Sequence, residues 1–75
     1  MAKYQRMSGR IIIVQEERFR LLNDIGQGFL FSLSHSARIT QQDLQRWHAA
    51  DTPVTVHYQG EPNLASGIAH EIEPL

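Results

Sequence analysis

The sequence contains no cysteine. Disulfide staples, thiolate metal sites and a cysteine nucleophile are therefore excluded together. Long apolar runs are missing as well. The longest is Ile11-Ile12-Ile13-Val14, far short of the roughly 20 residues that a spanning helix needs. Residues 1–10 are basic, but no apolar stretch or small-residue cleavage site follows them, so a signal peptide is not expected. The expected location is the cytoplasm. No G-x-S-x-G elbow is present. Gly26-Gln27-Gly28 leads to no helix N-terminus that could hold a phosphate. Lysine and arginine are absent from residues 51–75.

What is present fits one small globular domain. The 75 residues are 41% hydrophobic and 20% charged, with no low-complexity tract. A chain of this length buries roughly 60% of its unfolded surface, which makes every core residue count. The net charge of −1 is unevenly spread. Lys3, Arg6, Arg10, Arg18 and Arg20 oppose Glu16 and Glu17 in the first 20 residues, a balance of +3. Asp51, Glu61, Glu71 and Glu73 give the last 25 residues −4. Opposite ends of this kind attract one another within a fold or across a dimer. The sharper alternative is a basic face on the first two strands.

Residues 1–8 read as a flexible leader ending at the Ser8-Gly9 turn signal, with a single domain over 9–75. Four consecutive β-branched residues favour a strand over Gly9–Gln15. Their unbroken apolar character predicts a strand covered on both faces, or bent so that both sides meet the core. Arg18 to Leu22 alternates, with Phe19 and Leu21 on one side and Arg18 and Arg20 on the other. Asn23 to Gly28 has hairpin-loop chemistry. Phe29, Phe31 and Leu33 then alternate with Leu30, Ser32 and Ser34. Residues 10–34 thus read as a three-stranded antiparallel meander.

One helix is predicted over Gln41–Ala50. Thr40 is its N-cap, Asp43 completes a capping box, and Ile39 with Leu44 forms a hydrophobic staple. Leu44, Trp47 and His48 share the apolar face, with Leu44 and Trp47 as the docking residues. Asp51-Thr52-Pro53 ends the helix. Val54, Val56 and Tyr58 mark a fourth strand, and Gln59–Asn63 a turn. A fifth strand spans Leu64–Ile72, with Gly67 as a bulge or bend.

The order strand-strand-strand-helix-strand-strand resembles the OB-fold, a five-stranded barrel with a helix between its third and fourth strands. The resemblance covers Gly9 to Ile72 and rests on element order. It implies a mainly β, OB-like barrel, with Trp47 as the residue plugging one end. An SH3-like barrel is the alternative.

Chemistry-bearing residues are sparse. His35, His48, His57 and His70 stand 13, 9 and 13 residues apart, which matches no H-x₃₋₅-H zinc spacing. A hairpin centred on Glu61 would set His57 opposite residue 65, remote from His70. Ser34-His35-Ser36 reads as loop. No catalytic, cofactor or metal residue is assigned, and no cofactor or metal is expected. The chain therefore reads as a non-catalytic binding or assembly module for a protein partner or its own copies, not as an enzyme. Leu22, Leu30 and Tyr58 are candidates for outward apolar positions. The alternative is weak single-stranded nucleic-acid binding through Arg18, Arg20 and Arg10. That requires an aromatic stacking platform, and so depends on whether Phe29 and Phe31 are exposed.

Overall fold

The computed structural model describes residues 3–63 and 67–75. Its elements are β1 (Gln5–Gln15), β2 (Arg18–Leu22), β3 (Gly28–Leu33), α1 (Gln41–Ala49), β4 (Pro53–Gln59) and β5 (Ile68–Pro74). The five strands form one sheet that closes into a ring, β1-β2-β3-β5-β4, with β4 returning to β1. The order of strands and helix is the one the sequence predicts.

β1 is the shared wall. Its first half pairs with β4, from Gln5 opposite Tyr58 to Arg10 opposite Pro53. Its second half pairs with β2, from Arg10 opposite Leu22 to Gln15 opposite Arg18. The change of partner comes at Arg10, which belongs to both ladders. Beside it, at Gly9, the backbone passes so close to β2 that a Cβ would lie 2.2 Å from the Leu22 carbonyl oxygen. No side chain fits there. Gly9 is thus the interior of a strand, not a turn, and Gln5 to Ser8 belong to β1 instead of a leader. Their polar side chains hide this, because Gln5, Arg6 and Ser8 are exposed on a strand held by its backbone ladder to β4.

A bulge between Ile11 and Ile13 shifts the ladder by one residue. Ile11 is buried and Val14 packs against the core, whereas Ile12 and Ile13 are 37% and 47% exposed. The apolar run is therefore not covered on both faces. The extra residue of the bulge turns the middle of the run outward.

Elsewhere the period of 2 holds. Phe19 and Leu21, Phe31 and Leu33, and Val54, Val56 and Tyr58 all enter the core. Tyr58, a candidate for an outward position, is 7% exposed, and its ring meets Phe31 edge-on at 4.9 Å. Phe19 stacks on Phe31 at 5.5 Å. The Asn23–Gly28 loop closes as its chemistry predicts. Asn23 Oδ1 accepts from the Ile25 and Gln27 amides, and Gly26 takes φ +84°.

The ring closes on a short seam. β3 and β5 run parallel for two rungs, Ser32–Ile68 and Leu33–Ala69. The connection before β5 extends it: the Ser32 amide donates to Gly67 O and the Ser34 amide to Ala69 O, both at 2.9 Å. Asn63 acts as a one-residue strand, accepting from Leu30 N–H through Oδ1 and donating its own N–H to Leu30 O. At Gly67 a Cβ would lie 2.6 Å from Glu61 O. Gly67 thus precedes β5 and marks a close backbone approach. The β5 bulge falls at the His57/Tyr58 register shift. The expected start of β5, Leu64 to Ser66, lies outside the described residues.

The helix follows its caps. Asp43 N–H donates to Thr40 Oγ1 at 3.2 Å, and Thr40 N–H donates to Asp43 Oδ2 at 2.9 Å. Ile39 packs against the core that Leu44 enters. Leu44 is fully buried, but Trp47 is half-buried, with Arg46 over its ring at 5.9 Å. The helix residue that enters the core is therefore Leu44, one turn from the expected Trp47. At the other end Thr52 N–H reaches Trp47 O and Asp51 N–H reaches His48 O. This is a Schellman motif, normally closed by glycine, but Asp51 adopts φ 52° here. His48 Nδ1 lies 2.8 Å from Ile11 O, tying the last turn to the bulge.

Three stability predictions follow from this packing. Gly9→Ala should cost about 3 kcal/mol in urea unfolding, since strand backbone and not a flexible tip blocks its Cβ. Leu44→Ala should cost about 3 kcal/mol or more, and Trp47→Ala clearly less. The Thr40 amide, aided by the Thr40 hydroxyl and Arg46, holds the Asp43 carboxyl below its ordinary value of 3.8 against partial desolvation. A depressed folded-state pKa contributes stability above the unfolded value that is lost as pH falls through the folded value. The stability gap between wild type and Asp43→Asn should therefore narrow in acid unfolding below about pH 4.

Candidate binding face

The β1-β2-β3 ladder places side chains in rows on its outer side. Arg18 lies between Gln15 and Ser32, Arg20 between Ile13 and Leu30, and Leu22 between Arg10 and Gly28. Ile12 and Ile13 are exposed beside these rows, as are Leu22 at 37% and Ile25 at 78% in the adjoining hairpin. The result is a mixed face of aliphatic and guanidinium groups. Arg20 lies flat over Gly28, whose Cβ would come within 3.4 Å of Arg20 Cδ.

Neither Arg18 nor Arg20 has an ion-pair partner among the described residues. Arg10 does: its Nε stands 3.6 Å from Asp51 Oδ1. The structure thus brings Arg18 and Arg20 together and leaves Arg10 at the margin, engaged with the helix end. It also decides the aromatic question. Phe31 is fully buried, and Phe29 is half-buried and packed on the core, opposite Leu21 on the inner side. No aromatic side chain stands in the arginine rows.

The exposed aromatic surface is elsewhere. Tyr4, 41% exposed, stacks on His70 with ring centroids 4.7 Å apart. The pair borders a surface groove of about 440 Å³ with Arg38 and Glu71 on its walls. Nothing in the local sequence signals this pair, because Tyr4 precedes β1 and reaches a residue 66 positions away.

The other candidates resolve simply. Ser34 Oγ and Ser36 Oγ lie 3.0 Å apart in the loop ahead of the helix, and His35 faces Glu17 in solvent at 3.7 Å. His57 pairs with Glu71, not residue 65, because the β4–β5 connection is longer than a tight hairpin. Histidine spacing alone therefore misses what His57 gathers. Its Nε2 lies 3.2 Å from Glu73 Oε1, with Glu71 alongside. The oppositely charged chain ends meet in the same region, where β4 carries His57 between Arg6 on β1 and Glu71 on β5.

No helix among the described residues is long and apolar enough to cross a membrane. Comparison with family models, curated proteins and solved structures gives no match.

Because Arg18 is exposed and has no ion-pair partner among the described residues, Arg18→Ala should leave stability within about 0.5 kcal/mol of wild type in urea unfolding. A larger loss would mean that the arginine rows serve the fold instead of a partner.

Proposed function

We propose that this chain is an OB-like barrel acting in the cytoplasm as a non-catalytic binding or assembly module, and that it engages a protein partner through the outer face of β1, β2 and β3. The strand ring β1-β2-β3-β5-β4 and the nine-residue helix between β3 and β4 support the OB-like reading over an SH3-like barrel. One observation carries the functional part. Ile12, Ile13 and Leu22 are exposed on the same face as two arginines without ion-pair partners among the described residues. Contiguous apolar surface rimmed by charge marks interfaces, and arginine is enriched in them.

The partner segment favoured by this chemistry combines apolar side chains with carboxylates. Aliphatic groups would cover the isoleucines, and a carboxylate would take each guanidinium in a two-pronged hydrogen bond. Single-stranded nucleic acid is the second reading, supported by Arg18 and Arg20 sharing one face. The burial of Phe19 and Phe31 weighs against it, because the strand's phosphates would meet the arginines there but its bases would find no aromatic ring to stack on.

Selection of displayed random peptides on the immobilised protein should enrich sequences mixing acidic and apolar residues. Ile13→Ser and Arg20→Glu should each abolish the enrichment without unfolding the domain. Salt-sensitive binding of oligo-dT at 50 mM salt, lost in Arg18→Ala, would replace the protein-partner reading with the nucleic-acid one.

A further inference from the structure

We propose that His57, Glu71 and Glu73 form a binding site for a divalent transition-metal ion of the zinc type, on the outer side of the β4–β5 pair. This inference is independent of the partner face on β1-β2-β3. The three side chains each offer one donor atom, and these atoms all lie within 4.8 Å of one another. The tightest approach is His57 Nε2 to Glu73 Oε1 at 3.2 Å. Zinc binds imidazole nitrogen and carboxylate oxygen at about 2.0–2.2 Å, which sets donors roughly 3.4 Å apart in a tetrahedron. Glu73 already meets that spacing, and the Glu71 donor, within 4.8 Å of the other two, needs to close by at most about 1.4 Å to reach it.

The arrangement follows from the sheet. His57 stands directly opposite Glu71 on the ladder, and Glu73 lies two residues further along on the same side. The register shift between His57 and Tyr58 creates this pairing. Without the extra residue of the bulge, His70 would face His57 and Glu71 would turn toward the core. The same irregularity that directs Ile72 inward thus aims Glu71 at the imidazole, a familiar use of bulges. The His57 side chain is 18% exposed, so its ring is held in place while the two carboxylates remain open to solvent.

The donor chemistry selects the ion. One imidazole with two carboxylates suits zinc and its neighbours, whereas magnesium prefers oxygen donors and keeps its waters. Two carboxylates on one side of a strand repel each other, and a bound dication removes that repulsion. Arg6, opposite His57 on β1, is the other cation in this row. It forms no ion pair with either carboxylate among the described residues. Three protein ligands leave a fourth position for water, or for a donor from another molecule.

Isothermal titration of the full chain with zinc chloride should show one saturable site of micromolar affinity. Zinc at a large excess over its dissociation constant should raise the melting temperature, and magnesium at the same concentration should not. Glu71→Gln, which leaves the His57–Glu73 pair in place, should weaken zinc binding by roughly tenfold or more, and His57→Ala should weaken it further. Absence of saturable binding in wild type overturns the proposal. So does zinc binding that both variants retain, since the ion would then sit on other histidines. Should His57→Ala fail to fold, the Glu71→Gln titration decides alone.

Discussion

One strand must pair with two neighbours, and everything else in this barrel-like ring accommodates that requirement. β1 lies against β4 over its first half and β2 over its second, with Arg10 belonging to both ladders. The two directions can be reconciled where the backbone of β1 passes against the Leu22 carbonyl, which only glycine permits. The bulge two residues later completes the change of direction. It also decides which isoleucines are buried. Ile11 joins the core and Ile12 and Ile13 do not, so the surface proposed to bind a partner is a by-product of closing the ring.

The periodic elements were legible because their physics is local. Alternation in β2, β3 and β4 set Phe19 with Leu21, Phe31 with Leu33, and Val54 with Val56 and Tyr58 on common faces, and burial puts each of these faces inside, Tyr58 included. Thr40 and Asp43 declared the helix start, and both bonds of the capping box are present. What misled was set by distant partners. Gln5 to Ser8 look like a polar tail because the β4 backbone, not their side chains, holds them. Trp47 is larger than Leu44, yet helix orientation, fixed in part by the His48–Ile11 bond, gives the central position to leucine.

The candidate sites divide in the same way. Alternation alone put Arg18 and Arg20 on one outer side. Among the described residues they have no ion pairs, whereas Arg10 meets Asp51 only because of where Asp51 ends up after the helix. The His57, Glu71 and Glu73 cluster was invisible to histidine spacing because it depends on a bulge and on the length of a connection. A search by residue type along the chain looks for ligands near in sequence, whereas an antiparallel ladder brings together residues 14 and 16 positions apart.

The seam between β3 and β5 has a mechanical consequence. Among the described residues it is the shortest pairing in the ring, two parallel rungs reinforced by Asn63 and the backbone at Gly67. Parting there would leave two intact sheets, β1-β2-β3 and β1-β4-β5, joined along β1 like the covers of a book along its spine. Local opening starts where the fewest bonds must break. The domain is therefore a clasped object whose hinge and clasp lie on opposite sides. The hinge is fixed by a glycine, and the clasp by one asparagine whose side chain stands in for a strand.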